Sequence, residues 1–209
     1  MTREKVLSDL KSALSRPEYS EKMPRPWLPL EAEFSNLQAA RTQFSEEISK
    51  LSGETASLQT GKLDDELSEL VKKFAVKKAA IWNDERTLRY GLSHKLAALG
   101  VQVVSPDADK YLLANCDLGI TSVDFANPAT GTIGLFSSAQ KPRAVSLLPR
   151  VHLAIIEDID FRPNLTSALQ EFKNQRYLTL ISGPSRTSDI ELILTLGVHG
   201  PQHLVAWLV

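Results

Sequence analysis

From residue 76 onward the chain keeps one rhythm: a short apolar run, a polar turn, a helical pattern, then another apolar run. Lys78–Trp82 reads as a strand, and Leu88, Leu92, Leu96 and Leu99 recur at helical spacing before Gly100. Val101–Val104 is the next predicted strand, followed by a short helix over 107–115. Further strands are predicted at Gly119–Val123, Thr132–Phe136 and His152–Ile156. A helix over Leu165–Phe172 leads to Tyr177–Ile181, an apolar run that reads as a buried strand. Two short apolar runs, 192–196 and 203–209, meet around Gly197 and Gly200-Pro201. Strands that alternate with helices pair in parallel through helical crossovers and bury both sheet faces. The expected fold is therefore α/β: a mostly parallel sheet between helical layers.

The first 75 residues read differently. Val6, Leu7, Leu10 and Leu14 mark one helix. Phe34, Leu37, Phe44, Ile48 and Leu51 mark a second, and Leu67, Leu70, Val71 and Phe74 a third. Gly53 and Gly61 bracket a loop. Between the first two helices, Pro24, Pro26 and Pro29 enforce an extended connector, with Trp27 placed to pin it against another surface. The first 100 residues hold 16 of the 24 Lys and Arg and 15 of the 25 Asp and Glu. This predicts a helical N-terminal extension over 1–75 and an α/β core domain over 76–209. The helical stripes read as core, or as an arm that docks on another subunit.

A net charge of −1 gives no electrostatic case for nucleic acid or an anionic membrane. No window approaches the roughly 18 apolar residues of a membrane span. The start, Met1-Thr2-Arg3-Glu4-Lys5, has no apolar signal core. A cytoplasmic protein is the simplest expectation. Cys116 is the single cysteine. It permits no intrachain disulfide, and it falls short of the thiolates an iron–sulfur cluster or structural zinc needs. Any redox cofactor therefore comes from a partner. With no base beside it, Cys116 reads as packing.

Two loops carry the candidate chemistry. In Ser182-Gly183-Pro184-Ser185-Arg186-Thr187 a glycine, a proline, three hydroxyls and an arginine follow a strand. Backbone N–H groups and short donors in such a turn suit an anion, phosphate or carboxylate. Ser188 and Glu191 stand at capping-box spacing, which predicts a helical turn facing the same spot. Ligands of open parallel sheets sit beyond the C-terminal strand ends, where this loop is expected. The second loop is Asn127-Pro128-Ala129-Thr130-Gly131-Thr132. There Gly131 lets the backbone approach a ligand, and Thr130 and Thr132 each offer a hydroxyl; equally, Pro-x-x-Gly is a plain turn. Ser182, Gly183, Ser185, Arg186 and Thr187 complete the expected binding set. Arg186 is either a ligand contact or the partner of Asp189 or Glu191. His199, in a small-residue turn, is a candidate for proton transfer, with a backbone-bonded turn histidine as the alternative. Asp124 is the other candidate, placed at the mouth of the Thr-Gly-Thr loop unless it caps a turn. His152, His94 and His203 read as structural. No His-x-x-x-His or carboxylate cluster suggests a metal. Dinucleotide, Walker and serine-elbow motifs are missing.

Several of these segments together resemble the LUD-domain family of lactate utilization proteins. They are Gly119-Ile120-Thr121 through Asp124-Phe125-Ala126, Thr130-Gly131-Thr132, Ser146-Leu147-Leu148-Pro149 with His152, Ser182–Glu191 and Leu196–Pro201. The motifs span roughly 119–201, and the helical N-terminal half is similar to the single-domain type in length and character. The resemblance implies a three-layer α/β/α sandwich like that of sugar-phosphate isomerases and CoA transferases. It also implies a part in oxidising L-lactate to pyruvate beside iron–sulfur partner proteins, this chain binding no cofactor of its own. Family members often carry an acidic residue where this chain has Ala129, so a role for that carboxylate is lost here. The leading expectation is an accessory subunit, non-catalytic or co-catalytic, that binds a small anion. The alternative is a free-standing enzyme acting on a phosphorylated or CoA-linked small substrate.

Overall fold

The computed structural model describes residues 2–14, 36–58, 61–172, 175, 177–188 and 194–209. Helices α1 (Arg3–Leu14) and α2 (Leu37–Lys50) come first, followed by β1 (Glu54–Ser57), α3 (Leu63–Lys73) and β2 (Lys78–Ile81). Next come α4 (Glu85–Arg89), α5 (Leu92–Ala98), β3 (Gln102–Val104), α6 (Lys110–Ala114) and β4 (Leu118–Ser122). β5 (Phe125–Asn127) and β6 (Thr132–Phe136) form a hairpin, followed by α7 (Ala144–Leu147), β7 (Val151–Ile156) and α8 (Leu165–Glu171). The last elements are β8 (Leu178–Ile181), β9 (Arg186–Ser188), β10 (Leu194–Leu196) and β11 (His203–Leu208).

Six strands form one all-parallel sheet in the order β1-β11-β7-β4-β2-β3. The strands are apolar on both sides because helices cover both faces. Leu118, Ile120, Leu153, Ile155, Val205 and Trp207 pack with Leu67 and Leu70 of α3 and Leu92 and Leu96 of α5. The alternate residues Ala80, Ala154, Ile156, Leu204, Ala206 and Leu208 pack with Phe44 and Ile48 of α2, Leu113 of α6 and Val145 of α7. Each large side chain buried this way stabilises the fold by about 1.5–3 kcal/mol. The result is the expected three-layer α/β/α sandwich.

Local chemistry sets the helix ends. Asn36 caps α2, its side chain accepting the Ala39 N–H at 2.7 Å. Asp84 and Thr87 form a reciprocal capping box at the start of α4.

Several expectations are corrected. The single helix read over 88–99 is two, α4 and α5, interrupted at Tyr90 and Gly91. The loop between Gly53 and Gly61 contains β1, an edge strand whose residues are only half-buried, so no apolar run betrays it. Tyr177–Ile181 is not a buried strand of the main sheet. β8 lies in a separate antiparallel sheet, β5-β6-β8, with Leu180 44% exposed. Ser188 is a strand residue, since β9 pairs antiparallel with β10; the rest of the expected helical turn, Asp189–Glu191, lies outside the described residues. So do Phe34 and the proline connector with Trp27. The stripe of α1 is exposed, and none of its residues is buried.

Candidate functional site

The two expected loops meet. β6 pairs antiparallel with β8, Ile133 opposite Ile181, which carries Thr132 alongside Ser182. Their hydroxyls lie 2.6 Å apart. A chain of short polar contacts continues from Thr132 to Thr130 at 2.8 Å, and Thr130 donates to Asn127 Oδ1 at 2.9 Å. These hydroxyls are engaged with each other.

The glycines serve a different neighbour from the one expected. Gly131 has φ +57°, and a Cβ there would lie 2.7 Å from the Ile48 backbone nitrogen of α2. Gly183 has φ +105°, and its Cβ would lie 2.7 Å from the Leu51 carbonyl. Both positions favour glycine by conformation and by space. The backbone they admit is the C-terminal end of α2, not a ligand. Arg186 donates to the same Leu51 carbonyl. A guanidinium suits the negative end of a helix, so this bond employs Arg186 in structure.

A cavity of about 250 Å³ opens beside these loops, lined by Ser182, Gly183, Ser185, His199 and His152, with Leu204 among its apolar walls. The Ser185 N–H donates to the Pro201 carbonyl at 2.9 Å, and the Gly197 N–H donates to the Ser185 carbonyl at 2.9 Å. These two bonds hold the His199 turn against the Ser182–Ser185 segment. His152 and Leu204 are the second residues of β7 and β11. The cavity therefore lies at the N-terminal edge of the parallel sheet, opposite to the expectation. The reason is that β8 left the main sheet for the small antiparallel one, taking its following loop with it. Thr130, Gly131 and Thr132 stand behind the cavity, joined to it through Ser182, and Thr187 lies in the β9–β10 ribbon opposite Thr195.

His152, read from the sequence as structural, is among the residues lining the cavity. Its ring is 1% exposed, and Nε2 lies 2.9 Å from Thr121 Oγ1 on neighbouring β4. Nδ1 is buried without a hydrogen-bond partner among the described residues. Burial pushes the imidazole down to about 3, so the ring is neutral at physiological pH. One signal was available: a lone polar side chain inside the apolar run Val151–Ile156, on the same face as Ala154 and Ile156.

Asp124 is not at the mouth of the Thr-Gly-Thr loop. It sits at the other end of the β5–β6 hairpin, accepting the Phe136 N–H at 2.7 Å and the Lys141 ammonium at 2.6 Å. It belongs to a polar layer along the C-terminal edge of the sheet. There Arg86 donates to both Asp160 oxygens at 2.6 and 2.7 Å and to the Val123 carbonyl at 3.0 Å, while Ser122 donates to Asp84 at 2.6 Å. Burial pushes the Asp160 carboxyl up, although the Glu157 N–H and Arg86 pull it down. These groups are satisfied by one another. A larger recess of about 420 Å³ lies beyond β1 and β11, but its cations are engaged as well, Lys95 with Asp64 and Arg89 with Glu157. Cys116 is buried and its thiol is pushed up by that burial, as packing requires. Among the described residues no three His, Cys, Asp or Glu side chains gather as a metal site, and no helix is long and apolar enough to cross a membrane.

An α/β/α sandwich with paired hydroxyl loops, a Ser-Gly-Pro-Ser turn and a Gly-Val-His-Gly-Pro turn at one edge is matched by a known domain. The LUD-domain profile fits residues 42–209, and the chain belongs to that family. The matched region begins within α2 and so includes β1 and α3. The chain is 30% identical to Lactate utilization protein C of Shouchella clausii, over 95% of this chain and 93% of the relative. It is 32% identical to Lactate utilization protein C 1 of Bacillus mycoides, again over 95% and 93%. Among solved structures, a duf162 family protein from Deinococcus radiodurans has the same fold, with a TM-score of 0.62 and 18% identity, covering 83% of this chain and 98% of that one.

Proposed function

We propose that this chain serves lactate utilization in the cytoplasm, as a subunit that acts with iron–sulfur proteins in the oxidation of L-lactate to pyruvate. The full-length likeness to proteins named for lactate utilization supports the role. With one cysteine, itself buried, the chain is suited to assist redox chemistry held by a partner. Its own contribution is to hold a small anionic ligand.

The observation that carries the ligand reading is the convergence of Ser182, Gly183, Ser185 and His199 on one cavity. The Ser185 hydroxyl and the His199 imidazole are donors for a carboxylate, with the Ser182 hydroxyl beside them spent on Thr132, and the leucine and proline walls suit a short hydrocarbon remainder. The cavity's volume of about 250 Å³ lies below the roughly 300–1,000 Å³ of drug-sized sites. That favours a two- or three-carbon acid over a phosphorylated or CoA-linked substrate.

The test is lactate-dependent reduction of an artificial acceptor by the iron–sulfur partners, with and without this chain. Activity should require the chain. Ser185→Ala should weaken ligand binding roughly tenfold, the worth of one hydrogen bond at the upper end of its range. Equal rates without the chain would refute the subunit role.

A further inference from the structure

β1 ends the six-stranded sheet, and among the described residues no strand pairs with its outer side. The Leu58 N–H donates to the Leu208 carbonyl at 2.8 Å. Backbone alternation therefore turns Glu54, Ala56 and Leu58 toward β11, and Thr55 and Ser57 outward. The N–H and C=O groups of Thr55 and Ser57 face away from the sheet. Lysine, proline or a bulge commonly blocks such an edge, and Glu54-Thr55-Ala56-Ser57 has none of them. Side chains alternate as well. Ala56 and Leu58 pack on the α3 side, whereas Thr55 and Ser57 line a recess of about 420 Å³ with Thr42, Ser45 and Ser49 of α2. A second recess, about 300 Å³, lies on the α3 side, where Glu54, Glu66, Glu69 and Lys73 surround it. The edge is open along its backbone and on both faces.

We infer that β1 pairs antiparallel with β1 of a second copy of this chain, joining two six-stranded sheets across a two-fold axis. Centred on Ala56, the pairing sets Thr55 opposite Ser57 of the partner subunit, and Ser57 opposite Thr55 of the partner subunit. Each such pair exchanges two hydrogen bonds, which uses every outward group of both strands. The small Ala56 falls on the axis, where the strands approach most closely. Charge selects a second copy as the occupant. α3 begins with Asp64, Asp65 and Glu66 and ends with Lys72 and Lys73. It runs antiparallel to β1, since Leu63 lies with Leu58 around one recess while Lys73 is ion-paired with Glu54. The two-fold axis therefore brings the basic end of α3 beside the acidic start of its counterpart, Lys73 toward Glu66 of the partner subunit. Glu69, near the axis, meets Glu69 of the partner subunit, a like-charged contact.

Sedimentation equilibrium of the full chain tests the assignment, with hydrogen exchange read at Thr55 and Ser57. The chain should dimerise, and both amides should gain protection as its concentration rises. Ser57→Pro removes one outward N–H from each copy and leaves the Leu58 bond to β11 in place. It should raise the dimer Kd roughly thirtyfold, the worth of one net hydrogen bond per copy. Glu66→Gln and Glu69→Gln remove the same charge from the same helix with opposite expected effects. The first should weaken the dimer about fivefold, and the second should tighten it by about the same factor. Urea unfolding of each variant, diluted to the monomer, shows that it is folded. A monomer at every protein concentration would overturn the inference. So would a dimer that folded Ser57→Pro leaves unchanged, or glutamate variants that shift the Kd in the same direction. Protection of Thr55 and Ser57 in a monomeric sample would overturn it as well, by showing that the same chain covers its own edge.

Discussion

At the scale of single residues, burial decides which polar groups are free to act. Thr130, Thr132, Arg186 and Asp124 all look available in the sequence, yet each has a partner inside the fold. His152 looks structural, yet it keeps an unpaired nitrogen. Its burial also has a thermodynamic signature. The folded ring titrates at about 3, whereas an unfolded histidine titrates near 6.5. Between those values the unfolded chain binds the extra proton, so stability falls as pH is lowered from about 6.5 toward 3, by up to about 1.4 kcal/mol per pH unit. Urea unfolding across this window should show that slope in the wild type. His152→Gln should lack this component, and parallel pH profiles for the two proteins would contradict it. The sequence could not reveal this state, because it depends on how completely the fold buries the ring.

At the scale of elements, the turn chemistry of both loops was legible and their neighbour was not. Pro128 and Gly131 announce a tight turn, and Ser182–Pro184 announces the end of a strand. Nothing local says that the C-terminal end of α2 fills the space beside the glycines, because that contact comes from tertiary packing. Gly131→Ala should therefore act on the docking of α2. The new Cβ meets helix backbone at a residue with positive φ, and the expected cost is about 1–3 kcal/mol, read as a lowered midpoint in urea. Undiminished stability would show that the hairpin and helix can separate without loss. The strands with both faces covered were legible for the opposite reason: each is a mostly apolar run. β1 was not, since Glu54-Thr55-Ala56-Ser57 is half-buried at the sheet edge.

At the scale of the whole molecule, the alternation of strands and helices was enough for the layered class, while the strand order was beyond its reach. Order comes from pairing across long separations, and the separate sheet that removes β8 from the parallel set depends on the hairpin before it. Protection follows the layers. β4, β7 and β11 lie between neighbours on both sides, with buried side chains on both faces, and their amides should exchange at rates near those set by global unfolding. α1, with no buried residue, should exchange within the earliest time points. Slow exchange in α1 would mean that another surface covers it in solution.

The place of β11 reaches beyond the finished fold. It is the last strand along the chain, yet it sits inside the sheet, with Val205 opposite Glu54 on one side and opposite Leu153 on the other. A ribosome therefore releases β1 and α2 long before the strand that joins them to β7 has been made. Until then the nascent chain carries an apolar helix face and two unpaired strand edges, surfaces that invite association. The six-stranded sheet cannot close until β11 has been made to join β1 to β7.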